Sequence, residues 1–335
     1  MDTIRWGIMG AGKIAHRFAA SLASIGGCEL AAIAGRSAAK LDAFAAEFPV
    51  PPERRYADAV GDGEAAYRRL VRDPGIDAVY LALPHGLHAR WACELLRAGK
   101  AVLCEKPATV SAEEARQVAD AARATGSLFM EAMKTRFMPA RDQVRDMLAR
   151  GELGVVTALT CVHRIDYGEP PSAYLLDPAQ GGCLLDLGCY DVNWVCDLLD
   201  DPIEVERVDV TWRTASDGAS RVDWADDVRL TAGGVPVRLD LAGGSDVYET
   251  YALIECEHGQ IEVPLLHRPL SFTVRRPGQA DKLIDAPCID DFHGEIAHFC
   301  DLLRSGAAES PIMPLAATVR NAQVIDAIKA AWPRG

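Results

Sequence analysis

The sequence predicts an α/β protein: a doubly wound parallel sheet at the start of the chain, then an α+β domain containing a large, mostly antiparallel open sheet. Three observations lead there. Short apolar runs alternate with amphipathic stretches over the first 131 residues, and a glycine-rich turn joins the first run to the first amphipathic stretch. After about Val155, β-rich runs instead follow one another through tight glycine-containing links.

Residues 3–9 read as a strand, 13–25 as a helix, 29–34 as a strand and 37–48 as a helix, two βα units in succession. A Pro-rich, charged connection spans 49–55, and strands over 77–82 and 101–104 then flank a helix over 88–98. Ser111 with Glu114 three residues later has the capping-box pattern of a helix start; that helix runs to Thr125, and 128–131 supplies another strand. Strands alternating with helices of this length imply parallel pairing. Farther on, one helix is expected over 183–199, and strands over 205–212, 228–232, 235–241, 251–256 and 260–264. Helices over 291–304 and 315–332 close the chain, separated by Pro311 and Pro314. The expected domains are 1–125 and 126–335, with the closing helices packing back towards the first.

Bulk properties exclude several classes of partner. A chain of 335 residues exceeds one ordinary core and suits two. A net charge of -13 argues against nucleic acid and anionic membrane, both of which select an excess of Lys and Arg. The start of the chain has neither a long apolar segment nor a cleavage pattern, and the ten cysteines include no C-x-x-C pair, so reduced thiols and a cytoplasmic location are expected.

The first strand runs into Gly10-Ala11-Gly12-Lys13-Ile14-Ala15, the G-x-G-x-x-A dinucleotide fingerprint of a Rossmann domain, and a helix begins at once. Gly10 permits the tight turn, Gly12 lets backbone approach a pyrophosphate, and Ala15 lets helix and strand pack. Lys13 and Ile14 open the helix on which the anion would sit. Where an acidic residue would receive the ribose hydroxyls of NAD, the second strand ends in Ala34-Gly35-Arg36-Ser37. Arg36 can offer its planar fork to a 2′-phosphate, with Ser37 donating a hydroxyl and Lys40 one turn on. NADP(H) is the preferred cofactor on this reading, and NAD(H) is not barred.

Two segments fall at carboxyl ends of parallel strands, the ligand-binding edge of an open α/β sheet: Leu83-Pro84-His85-Gly86-Leu87-His88 and Cys104-Glu105-Lys106-Pro107. Leu83, Pro84, His85, His88 and Glu105 are therefore candidate cofactor contacts, and Lys106 should lie near the nicotinamide. Pro107 restricts Lys106 to extended conformations.

The fingerprint combined with Glu105-Lys106-Pro107 resembles the Gfo/Idh/MocA family of sugar and polyol dehydrogenases, and within it the dihydrodiol dehydrogenase and NADP-dependent xylose dehydrogenase branch. Residues 128–132, 135–137 and 181–190 carry the resemblance further. It implies that Lys106 is catalytic and that a D-x-x-x-H motif in the second domain moves the proton. Here that motif reads Asp186-Leu187-Gly188-Cys189-Tyr190, with tyrosine in the histidine's place. Spacing of i, i+4 would put Asp186 and Tyr190 on one helix face. An unperturbed phenol, with a pKa of about 10, is a poor base at neutral pH and would need the positive charge of Lys106. Arg136, His163, Arg164 and Tyr167 are candidate substrate contacts, and Lys134 suggests a polar substrate rather than an aromatic diol. The family also implies a homodimer or higher oligomer paired through the second-domain sheet.

A metal site is not expected. His293 and His298 are five apart rather than the four of a zinc-protease helix, His85 and His88 lack further ligands, and Cys183, Cys189 and Cys196 fit buried helix positions. The competing reading is a non-catalytic cofactor sensor of the same fold. Retention of Lys106, Asp186 and Tyr190 together favours an enzyme, because a sensor needs no proton-transfer group.

Overall fold

Near-continuous apolar runs separated by amphipathic helices do form one parallel sheet. The computed structural model describes residues 3–58, 61, 63–199 and 201–333. Its chain forms two compact units: Met1–Thr109, Glu113–Met133 and Phe292–Val319 in one, and Val110–Ala112, Lys134–Asp291 and Arg320–Gly335 in the other.

The first unit follows the order β1 (Ile4–Met9), α1 (Lys13–Leu22), β2 (Cys28–Gly35), α2 (Ala38–Glu47), β3 (Arg55–Ala57), α3 (Glu64–Arg72), β4 (Ala78–Leu81), α4 (His88–Arg97), β5 (Ala101–Glu105), α5 (Ala112–Thr125) and β6 (Phe129–Ala132). The sheet order is β3-β2-β1-β4-β5-β6, every pair parallel. Every residue of β4, β5 and β6 is buried, as in strands covered on both faces. Phe18 of α1 stacks on Tyr80 of β4 with centroids 3.8 Å apart, and Trp6 of β1 meets Phe18 at 5.3 Å. Two elements here, β3 and α3, are absent from the sequence reading. Strand β6, assigned from sequence to the second domain, pairs with β5 and completes the first sheet.

The other unit begins with α6 (Pro139–Ala149) and β7 (Val156–Asp166), neither anticipated from sequence. A π-helical turn over Leu184–Gly188 leads into α7 (Cys189–Leu198). Then come β8 (Ile203–Thr214), β9 (Arg221–Ala232), β10 (Val235–Ala242), β11 (Gly244–Cys256), β12 (Gly259–Pro264), β13 (Ser271–Arg275) and β14 (Lys282–Asp285). The sheet order is β14-β13-β12-β11-β7-β10-β9-β8, antiparallel except where β7 meets β10. Successive strand residues face opposite sides, so on β7 Leu159, Cys161 and His163 share one face, and Thr160, Val162 and Arg164 the other. Buried Arg141 of α6 holds Asp197 of α7 at 2.6 and 2.7 Å. Burial alone would raise the Asp197 pKa, but Arg141, Arg136 and Arg145 outweigh it and lower it.

The remaining helices are α8 (His293–Ser305), whose Phe299 packs on Trp6 at 5.3 Å within the first unit, and α9 (Leu315–Ala330). Among the described residues, no helix is long and apolar enough to cross a membrane.

Candidate active site

The strand order of the first sheet reverses between β1 and β4, which opens a crevice at their carboxyl ends. Gly10 lies there with φ +109°, and a Cβ on it would come 2.3 Å from the Ala82 carbonyl oxygen, so the fold itself requires glycine. Gly12 caps α1 and is different: a Cβ there would meet nothing within 4 Å. The protein does not need glycine at that position, whereas a ligand approaching the helix N-terminus does. A cavity of about 480 Å³ lies in front, lined by Gly10, Gly12, Arg36, Ser37, Lys40, Leu83 and Pro84 among others. The Ser37 hydroxyl oxygen accepts the Lys40 amide at 3.4 Å as the N-cap of α2, and its own proton can still be donated. With a cation fork, a hydroxyl and two helix N-termini converging, the donor set fits a dinucleotide phosphate. Lys13 is exposed and Ile14 half-buried on the first turn of α1.

Lys106 follows β5 at the same edge, and its turn is held from three sides. The Lys106 amide donates to Glu105 Oε2 at 3.1 Å, and the Ala108 amide donates to Glu131 Oε1 at 3.0 Å. The Tyr80 hydroxyl donates to Glu105 Oε1. The third support is His88, whose ring nitrogens lie 2.9 Å from the Pro107 carbonyl and 2.7 Å from the Leu83 carbonyl. His88 is fully buried. Sequence reading made His88 and Glu105 cofactor contacts; both instead turn inward and brace the Lys106 turn. Burial drives the His88 pKa down, the two carbonyls oppose this, and the net shift is downward. Sequence expected only an extended Lys106; the Lys106–Pro107 peptide is cis. His85 is buried, its ring 5.9 Å from that of His88.

In the other unit, Asp186 lies in the π-helical turn and Tyr190 in the first turn of α7. The regular helix expected over 183–199 opens instead with this wider turn. Asp186 accepts the Tyr167 hydroxyl at 2.9 Å and the Tyr174 hydroxyl at 3.5 Å. Burial, and then the Asp186 charge, push the Tyr167 pKa well up. Tyr190 is buried beside two stacked imidazoles: His163 and His267 have centroids 5.1 Å apart and lie 6.0 and 5.7 Å from the Tyr190 ring. His163 Nδ1 is 3.1 Å from Asp191 Oδ2, and burial raises the Asp191 pKa against that pairing. The turn itself is anchored from β9, where Asp223 accepts the Leu184 amide at 2.6 Å. Gly182, φ +90°, passes so close that a Cβ would lie 1.8 Å from Asp223 Oδ1.

Three sequence expectations change in this unit. Arg164 lies on the sheet face opposite His163, bound to Asp240 at 2.9 and 2.5 Å. Arg136 is buried and donates to Asn193 Oδ1 at 2.6 Å, so it steadies α7. Lys134 makes a buried ion pair with Asp291 at 2.8 Å, which accounts for it without a polar substrate. Sequence reading missed His267, Glu131, Tyr80 and Asp191, residues that no spacing links to the motifs they support. It placed Cys183 as a buried helix position and missed Asp223 and Asp226, whose ligand-type atoms lie with that of Cys183 within 4.8 Å of one another.

Comparison with known proteins assigns both units. A family model described as an oxidoreductase family with an NAD-binding Rossmann fold matches residues 4–133, and one for the GFO/IDH/MocA C-terminal domain matches 142–262. The chain is 30% identical to mouse (Mus musculus) trans-1,2-dihydrobenzene-1,2-diol dehydrogenase over 96% of its length and 95% of that enzyme. It is 29% identical to D-xylose 1-dehydrogenase (NADP(+)) of Hypocrea jecorina, covering 93% of this chain and 88% of that one. The solved 3-ketoreductase from Actinomadura kijaniata in complex with NADP and TDP-benzene superposes with a TM-score of 0.86 at 26% identity, covering 98% of each chain. With a matched model for each half and a relative aligned end to end, the chain belongs to the Gfo/Idh/MocA family of NAD(P)-binding oxidoreductases.

Proposed function

We propose that the protein is an NADP-preferring dehydrogenase acting on a hydroxyl-bearing carbon of a sugar, inositol or trans-diol. The observation that carries this reading is the three-sided bracing of the Lys106 turn at the carboxyl edge of β5. A cofactor sensor has no use for a lysine held so firmly beside the dinucleotide edge. Relatives named for a diol and for xylose support the substrate class, and the NADP named with one relative and bound by another supports the cofactor. Solved variants of the 3-ketoreductase replace one lysine and one tyrosine, spaced along that chain as Lys106 and Tyr190 are here.

Arg36, Ser37 and Lys40 would hold the 2′-phosphate, and the Gly10–Ile14 segment the pyrophosphate. The cofactor's nicotinamide supplies the hydride acceptor. Tyr190 takes the substrate hydroxyl proton, and the Lys106 ammonium stabilises the developing alkoxide. Asp186, carrying two tyrosine hydroxyls, orients substrate next to Tyr190, with Tyr167 as its support. The oligomer on this reading is a homodimer or a higher homo-oligomer formed through the open sheet, and light scattering after size exclusion checks which.

The test is turnover of NADP against a panel of aldoses, inositols and trans-diols, followed by nicotinamide absorbance. Wild type should turn over at least one class, and Lys106→Ala and Tyr190→Phe should each lose at least about 100-fold in kcat. Cofactor binding without turnover on any substrate would favour the sensor.

A further inference from the structure

Cys28 opens β2 at the amino edge of the parallel sheet, the end away from Gly35 and the cofactor cavity. Its Sγ is 3.4 Å from Sγ of Cys300 on α8. The two thiols are unequally accessible: Cys300 is buried, while Cys28 is half-exposed and lines a separate cleft of about 540 Å³ with Ala19, Leu30, Phe48 and Val50. A fixed cation completes the group. Arg304, one turn beyond Cys300, donates from Nη2 to the Gly26 and Gly27 carbonyls at 2.7 and 3.3 Å, which leaves the same nitrogen 3.8 Å from Cys28 Sγ.

We propose that Cys28 and Cys300 are a peroxide-reactive dithiol, with Cys28 the attacking thiolate and Cys300 the resolving thiol. Cys28 Sγ attacks one oxygen of hydrogen peroxide; the S–O bond forms, the O–O bond breaks, and the departing hydroxide takes a proton to become water. Cys300 then attacks the Cys28 sulfenic sulfur. The S–S bond forms, the S–O bond breaks, and the second water carries off the Cys300 proton. Two thiols lose two electrons and one peroxide becomes two waters; the nicotinamide takes no part.

The electrostatics agree with this division of labour. The hydrogen bond from Cys300 and the Arg304 charge bring the Cys28 pKa down to about 7 against the effect of burial. The same hydrogen bond and burial raise that of Cys300. Elsewhere, burial pushes Cys104, Cys161 and Cys183 well up, which leaves them protonated and inert.

The full-length protein treated with a few equivalents of hydrogen peroxide, digested and mapped by mass spectrometry without reduction, tests this. A Cys28–Cys300 linked peptide pair should form and disappear with dithiothreitol. In Cys300→Ser the oxidation should stop at a Cys28 sulfenic acid that dimedone traps, and Cys28→Ser should yield neither product. Arg304→Gln should slow iodoacetamide labelling of Cys28 several-fold at pH 7 and leave it unchanged well above the thiol pKa. Peroxide oxidising other cysteines first, Cys28 running on to sulfinic acid unlinked in the wild type, or an Arg304→Gln labelling profile identical to wild type would each overturn the proposal.

Discussion

Arg36 follows β2 and His88 follows β4 at the carboxyl edge of the parallel sheet, and their side-chain surroundings give them different roles. Arg36 lines the cavity at the end of β2. Replacing it with alanine should raise KM for NADP about tenfold or more and leave KM for NAD nearly unchanged, since one charge-assisted phosphate contact contributes about 1.5–3 kcal/mol. Equal loss with both cofactors would remove Arg36 as the phosphate ligand. His88 should behave in the opposite way. A neutral imidazole carries one N–H and donates to one of the Leu83 and Pro107 carbonyls, so leucine there leaves that carbonyl buried without its donor, at a cost of about 1–3 kcal/mol, and removes the ring that fills the turn. The expected outcome is a lower Tm and lower kcat with little change in KM for NADP; a raised KM at unchanged Tm would restore the cofactor-contact reading. The His88 pKa is lowered in the fold, so its contribution to stability is present above the unfolded value of about 6.5 and is lost as pH falls below it.

Glycine positions in the first turn separate what the fold needs from what the ligand needs. Gly10→Ala forces a Cβ against the Ala82 carbonyl at positive φ and should cost about 2–3 kcal/mol of stability. Gly12→Ala meets no protein atom, so its Tm should stay within about 1 °C of wild type while NADP affinity falls. A destabilised Gly12→Ala would mean the open space in front of α1 has another use. The sequence conveys this element well, because strand, turn and helix follow one another without interruption and both periodicities are clean. Other elements carry weaker signals. Helix α3 has only Ala66, Tyr67 and Leu70 to mark its buried face, and its remaining residues are largely charged. The π-helical turn has no composition of its own; it depends on Asp223, contributed by a strand that follows later in the chain, and on the missing side chain of Gly182. The Asp186 and Tyr190 positions were therefore readable, whereas their partners, Tyr167 with Tyr174 and His163 with His267, come from long-range packing.

The whole chain carries a second pH sensitivity of opposite sign. Burial and then Asp223 push the Asp226 pKa up to about 8, with the Cys183 thiol and Trp332 indole donating to its carboxyl oxygens at 3.2 and 3.1 Å. A raised folded-state pKa contributes stability that is complete below the unfolded value of about 4 and is lost as pH rises to about 8. Asp226→Asn, which cannot ionise, should match wild type near pH 4 and exceed its Tm by several degrees at about pH 9 in thermal unfolding. An equal pH dependence in the two proteins would show that the buried acid pair does not govern it. Strand β7 has a consequence of another kind. It is the central strand of its sheet, yet both its neighbours, β10 and β11, lie far downstream and adjacent to each other in the chain. During synthesis β7 therefore leaves the ribosome with two bare edges, and neither is covered until the β10–β11 segment follows. Nascent chains stalled before Val235 should be the most prone to aggregate and to recruit chaperones.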